Sequence, residues 1–343
     1  MIKCSIPSIT VKEKEFVLDA IAAKDIGVGS YVGKFENAWA DYNKMAYGVA
    51  CNSGTNAIYL ALKALGIGKG DEVLVPSYTM IATAWAVSYT GATPVFIDCA
   101  DDLNIDVDLL EEAIGKKTKA IIPVHIYGRQ CDMVEINRIA RRHQLYVVED
   151  MAEAHGIQPD SDIACYSFYG NKILTTGEGG MCLTNSKYWA EEMRLYANMY
   201  FDKDRTMLHP KMGHNFRMTN IQAAIGYAQV TRIDEILDKR DKIQFMYEEY
   251  LNHRYIMPIR NVVWMYDINC GNKQEEIKQA LLKEGIESRY GFKPMERQPQ
   301  YFDKRYEKLN SHKWSKRILY LPTYPGITEK EIEKISNIVN SIK

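Results

Sequence analysis

Apolar runs a few residues long, DEVLVPS, TPVFIDC, KAIIPVHIYG, LYVVEDMA, IACYSFYG and GGMCLTN, alternate with helical patterns over residues 71–185. No other feature constrains the fold as strongly, because strands alternating with crossover helices build an α/β sheet. In Ala120–Val124 and Leu145–Val148 the hydrophobicity is continuous, not alternating. That predicts strands covered on both faces within a mainly parallel sheet, and functional groups then gather in the crevice at the strand ends.

Asn56–Leu65 has helical spacing of Ile58, Leu62 and Leu65 with Gly66 as its stop, and the alanine-rich Met218–Gln229 is a second helix. From about Glu235 a charged helical stretch leads into a region of different texture. Short strands around Val262–Ile268 and helices around Gln274–Lys283 and Glu329–Ile342 are drawn there. The expected division is a large domain over residues 1–235 and a smaller α+β domain over 236–343, which suits a 343-residue chain at roughly 150 residues per domain.

With 43 basic and 44 acidic residues and no long basic run, the chain shows no electrostatic footprint for nucleic acid. No stretch approaches the roughly 18 consecutive apolar residues of a membrane span, and MIKCSIPSIT lacks a secretory core, so a cytoplasmic protein is expected. The seven cysteines are scattered and read as reduced, buried thiols. His125 and His155 have no metal-ligand spacing; both read as satisfied polar histidines, and no metal is expected. The 23 Tyr, 9 Phe and 5 Trp belong mainly to cores and interfaces, and none is singled out as a base reader.

Three features carry chemistry. Lys172 lies between an apolar strand and a glycine-rich turn, where lost hydration lowers an ammonium's pKa and makes a nucleophilic, imine-forming amine accessible. The bland alternative is a lysine snorkelling from a strand end to solvent. Asp150 and Glu153 directly follow the strand of LYVVEDMA. An aspartate there suits the ring nitrogen of pyridoxal phosphate, which must stay protonated to withdraw electrons; the alternative is a helix N-cap. Ser53, Gly54 and Thr55, in CNSGTNA, open a helix with free amides and hydroxyls able to cradle a phosphate. Without a Walker lysine or a G-x-G-x-x-G, this turn argues against nucleotide triphosphatases and dinucleotide-binding dehydrogenases.

Taken in order, CNSGTNA, PSYTMIATA, TGATPVFID, KAIIPVHIYG, EDMAEAHG, SFYGNKILTTGEGGM and NFRMTNIQAAIG resemble the DegT/DnrJ/EryC1/StrS family of nucleotide-sugar aminotransferases. The resemblance extends to IPSIT, VGSYVGKFE, GIESRYGFKPMERQP and LYLPTYPGIT. It implies a fold-type I, aspartate aminotransferase-like α/β transferase dependent on pyridoxal 5′-phosphate (PLP/PMP), with a mainly parallel mixed sheet flanked by helices. In the family's pattern Lys172 carries the cofactor as an imine and shuttles the proton, Asp150 pairs with the pyridinium nitrogen and Glu153 lies near the phenolic oxygen. Ser167, Gly54 and Thr55 hold the phosphate, and Asn215 reaches it from a neighbouring subunit, which implies a homodimer with shared sites.

The resemblance further implies ping-pong transfer from L-glutamate to the C4 keto carbon of a nucleotide-linked 4-keto-6-deoxyhexose, GDP-4-keto-6-deoxymannose first, for a surface polysaccharide. UDP- or dTDP-linked sugars and transfer at C3 stay open. Two rivals are weighed: a sugar dehydratase on the same scaffold, in which a histidine replaces the lysine, and a catalytically silent sensor of sugar nucleotides or cofactor, which would be expected to lose Lys172 or Asp150. The chain departs from the family in Met80, where an aromatic ring usually covers the cofactor, so binding is expected to be weakened or rearranged. It also departs in the short Ile157–Ser161 connection, in the compact Ile256–Gln274, and in Met295-Glu296 beside Arg289 and Phe292, where sugar or base contacts fall.

Overall fold

The computed structural model describes residues 1–27, 29–303 and 309–342. Val28, which opens VGSYVGKFE, lies outside the described residues. The larger sheet contains β1 (Tyr47–Cys51), β2 (Glu72–Pro76), β3 (Thr93–Ile97), β4 (Thr118–Ile121), β5 (Tyr146–Asp150), β6 (Ile163–Ser167) and β7 (Gly180–Thr184), in the order β1-β7-β6-β5-β4-β2-β3. From β3 across to β6 the strands are parallel, while β7 is antiparallel to both β6 and β1. The sheet is therefore mixed but mainly parallel.

Continuous apolar runs are explained by where alternate residues go. Val73 and Val75 enter one core cluster and Leu74 the cluster on the opposite face; Ile163 and Cys165 divide from Ala164 and Tyr166 in the same way. Both faces are buried, so neither residue of each pair can be polar. The helix Gly54–Ala64 covers one face. Ser53 caps it by accepting the Asn56 N–H at 3.2 Å, and Gly66, at φ +77°, lets the chain turn away after it. Ala57 to Leu62 are buried without a break, so the helix is sandwiched all round and not merely along the stripe its spacing suggests. The second expected helix spans Asn220–Val230. Its Gly226 leaves no room for a side chain: a Cβ would stand 2.6 Å from the Phe35 ring.

The helix Ile233–Tyr250 leads to a second, antiparallel sheet of β8 (Tyr266–Asn269), β9 (Arg289–Tyr290) and β10 (Ile318–Leu321), ordered β8-β10-β9. Helices Gln274–Lys283 and Glu329–Ser341 share its core through Ile277, Leu281, Ile332 and Ile335. The first residues of the chain join this region: Ile2 pairs with Ile286, and the Cys4 carbonyl accepts the Thr323 N–H at 2.9 Å.

Two expected strands are shorter than drawn. β4 stops at Ile121, before Pro123, which has no N–H for a ladder, and only an isolated bridge joins Val124 to Asp150. Residues 262–265 bend instead of pairing, and a side chain, Arg240, takes the carbonyls of Val263 and Trp264. β1 was not expected as a strand; the sequence reading stopped at the turn that follows it. All seven cysteines are buried free thiols. Among the described residues no helix is long and apolar enough to cross a membrane.

Candidate active site

Loops at the carboxyl ends of β1, β2, β5 and β6 enclose a cavity of about 430 Å³, closed on its far side by Trp264, Arg289, Phe292 and Tyr320. Ser53, Gly54, Thr55, Met80, Asp150, Glu153, Ser167 and Lys172 all line it. Asn215 does not: it is exposed and bridges to Asn198, away from the cavity.

The turn after β1 is pressed against the end of β6. A Cβ on Gly54 would lie 2.6 Å from the Ser167 Cβ, and a Cβ on Gly180, at the start of β7, would collide with the Ser53 carbonyl. Only glycine permits this approach, which brings the Ser167 hydroxyl beside the first turn of the helix. The amides of Gly54 and Thr55 have no acceptor among the described residues, so two donors and the positive end of the helix dipole face the cavity.

At the end of β5, Asp150 is 5% exposed. Its Oδ2 accepts the Thr83 hydroxyl at 2.8 Å and its Oδ1 the Ala152 N–H at 3.1 Å. No helix begins there, so the capping alternative reduces to a single turn amide. Burial pushes the Asp150 carboxyl up, while the Thr83 hydroxyl, the Ala152 amide and the Lys172 ammonium pull it down. Glu153 is raised to about 7 by burial, against Lys172 and the Tyr127 amide. That amide donates to Glu153 Oε2 at 2.8 Å and holds Tyr127 at φ 54°, a left-handed conformation that costs a non-glycine residue on the order of 1–3 kcal/mol. So held, the Tyr127 ring stacks on Trp264 at 5.9 Å and on Phe292 at 5.4 Å.

Lys172 sits in the connection from β6 to β7, with Nζ 3.8 Å from Glu153 Oε1 and 4.1 Å from the centre of the Trp264 ring. Burial pushes its ammonium below the ordinary lysine range; Glu153 and Asp150 push it back up. It is held inside the cavity and does not snorkel. The neighbouring Asn171 Oδ1 is a buried acceptor with no partner among the described residues.

His155 donates Nε2–H to the Ser167 carbonyl at 3.0 Å and accepts the Leu174 N–H on Nδ1 at 3.2 Å. His125 pairs with Glu149 at 3.1 Å and accepts the Cys131 N–H. Both are satisfied, as their sequence context suggests. Met80 is half exposed at the cavity rim. Thr83, Tyr127 and Trp264 escaped the sequence reading. Thr83, a hydroxyl in an otherwise apolar helix start after β2, was the one with a signal.

The donor set fits a phosphorylated pyridine aldehyde. Free amides and a hydroxyl meet at a cradle that a Cβ would fill, a buried carboxylate lies deeper in, and a dehydrated amine stands between them.

The chain matches the DegT/DnrJ/EryC1/StrS aminotransferase family over residues 7–340. The GDP-perosamine synthase of Caulobacter vibrioides is 42% identical over 97% of this chain and 96% of that protein. The GDP-perosamine synthase of Escherichia coli O157:H7 is 37% identical over 97% of this chain and 96% of that one. Among solved structures, S. venezuelae DesV in complex with a ketimine intermediate superposes with a TM-score of 0.91 at 29% identity, covering 96% of this chain and 94% of the other.

Proposed function

The chain belongs to the DegT/DnrJ/EryC1/StrS aminotransferase family, and we propose that it moves an amino group from L-glutamate to C4 of GDP-4-keto-6-deoxymannose, giving GDP-perosamine. The observation that carries this reading is Lys172, a buried amine flanked by Glu153 and Asp150 at the end of a phosphate-suited cradle. Pyridoxal 5′-phosphate, the cofactor of the family, supplies when bound an electron-withdrawing ring and a carrier for the amino group.

Gly54, Thr55, Ser53 and Ser167 would hold the phosphate, and Asp150 would keep a proton on the ring nitrogen. Thr83 and the Ala152 amide orient that carboxylate, leaving each oxygen room for a further donor. Lys172 would carry a proton from the substrate carbon to the carbon the bound cofactor supplies, for which Nζ must pass between amine and ammonium; burial favours the amine, and Glu153 and Asp150 favour the ammonium. Glu153, near neutrality, stands beside the amine and can accept or give a proton. Its second oxygen anchors Tyr127, so the same carboxylate shapes the far wall.

We further propose a homodimer in which Asn215 reaches the partner's phosphate cradle. Asn215 is exposed and does not line its own cavity, and it lies in a segment where Met207 and Met212 are 75% and 87% exposed. The division near residue 235 would then separate a cofactor-holding unit, 1–235, from the unit 236–343 that carries Trp264, Arg289, Phe292 and Tyr320. Seven free thiols suit a reducing, cytoplasmic setting.

A panel of GDP-, UDP- and dTDP-linked 4-keto-6-deoxy sugars, each with glutamate and read by mass spectrometry, tests the substrate. Amination of the GDP sugar in preference to the others, with the product assigned at C4, is expected. Preference for another nucleotide, or a C3 product, overturns the reading.

A further inference from the structure

Lys172 does not face empty space. Beneath its ammonium lies the Trp264 indole, whose N–H donates to the carbonyl of Asn171, the residue before Lys172, at 2.8 Å. Trp264 is 3% exposed and stacks on Tyr127. Its own main chain is gripped from the helix Ile233–Tyr250: Arg240 Nη1 donates to the carbonyls of Trp264 at 2.9 Å and Val263 at 3.2 Å, and at 3.5 Å to that of Thr323. Arg240 is 2% exposed, and its Nε has no partner. Among the described residues no carboxylate pairs with it. Burial pushes its pKa down to about 10. A buried guanidinium without a counter-ion is costly, and here the carbonyls of the bend at residues 263 and 264 are what it holds.

We propose that Trp264 is a positioning residue that holds the Lys172 side chain as an ammonium against its π face, and that Arg240 fixes the indole for this task by gripping the main chain at residues 263 and 264. The inference rests on Lys172 as the amine the reaction uses. The quadrupole of the indole attracts the ammonium and is indifferent to the neutral amine. Position and protonation of the side chain are thereby coupled. The charged or titratable groups around Lys172 are Asp150, the last residue of β5, and Glu153, which both favour the ammonium, the buried and neutral His155, and, elsewhere on the cavity lining, Tyr169, Glu178, Arg289 and Tyr320.

The test is the pH profile of acylation of Lys172 in the full-length, cofactor-free chain, read by peptide mass spectrometry against exposed Lys14 as internal reference. In Trp264→Leu the profile moves to lower pH, with roughly five- to tenfold more unprotonated amine at a fixed neutral pH, and Trp264→Phe recovers most of the difference. A tryptophan that only fills space gives the opposite sign, because its loss admits water and restores the ammonium. A profile that is unchanged or moves to higher pH therefore overturns the proposal. Arg240→Lys keeps a cation but cannot grip several carbonyls at once; it shifts the profile in the same direction by less, and a wild-type profile removes Arg240 from the account. Failure of the aminotransferase reading shows elsewhere: borohydride would fix the cofactor on a residue other than Lys172 whatever the acylation profile.

Discussion

The cavity has two walls, and they are made by different means. The wall along the large sheet sets its reacting side chains, Asp150, Glu153 and Lys172, beside a turn shaped by main chain: glycines at 54 and 180 let the turn after β1 press on the ends of β6 and β7, where free amides and the Ser167 hydroxyl are brought together. The wall along the small sheet is made of side chains, Trp264, Arg289, Phe292 and Tyr320. Buried ionic contacts tie that wall to the rest of the molecule. Arg129 donates to both oxygens of Asp267 at 2.9 and 3.1 Å, and Arg260 holds the same carboxylate from within the small unit. A wall of side chains can be altered singly, which is where differences in substrate are expected to reside.

Changes to the first wall should strike chemistry and changes to the second should strike stability and shape. The largest effect is expected from Lys172→Ala: no measurable turnover, with circular dichroism and thermal midpoint close to wild type, because the amine is lost without opening a large core cavity. Asp150→Asn comes next. It should depress both half-reactions by about 10²–10³-fold in stopped-flow absorbance, in line with losing one preorganised electrostatic group, and near-normal rates would remove the role assigned to it.

Asp267→Asn tests the second wall. It strands two guanidinium groups that are at most 3% exposed, and should cost about 3–5 kcal/mol in denaturant unfolding. A loss under 1 kcal/mol would mean that the far wall does not depend on this ionic anchor.

The smallest effect concerns His155, behind the first wall, whose pKa is lowered to about 3 by burial and by Lys172. Its ordinary value is 6.5, so the unfolded chain takes up the proton first. The stabilising contribution of the neutral ring is complete above pH 6.5 and fades as the pH falls toward 3, amounting to about 2 kcal/mol by pH 5. His155→Gln should flatten that part of the stability profile; an unchanged slope between pH 7 and 5 would assign the acid sensitivity to other groups.

What was legible in the sequence follows the same division. β2 and β5 to β7 announce themselves because burial on both faces forces unbroken apolar runs, whereas the edge strand β3 shows an apolar run though it is only partly buried; Asp150 and Lys172 stand out as charged residues at or just beyond such runs. Ser53 to Thr55 are legible as a helix start. Trp264 was not, because its task is set by Asn171, Tyr127 and Arg240, all far from it or without periodic relation to it along the chain. The strand drawn through Val262–Ile268 failed for a related reason: Arg240 satisfies the carbonyls at 263 and 264, so the apolar residues there need no ladder. β1 carries little signal because YGVAC is short and runs straight into the helix-opening turn. Asn215 carries a motif, yet it bridges Asn198 outside the cavity, so nothing within one chain marks it as part of the site.

The reversed direction of β7 governs the order in which the molecule can be completed during synthesis. β1 reaches its place in the sheet only by pairing with β7, Tyr47 opposite Thr184 and Cys51 opposite Gly180. A chain that ends after β6 already carries Ser167 and Asp150, and the turn after β1 can meet Ser167, yet it lacks Gly180, the second strand end it packs on. The edge position of β1 is therefore complete only once the chain through residue 184 is there to pair with it.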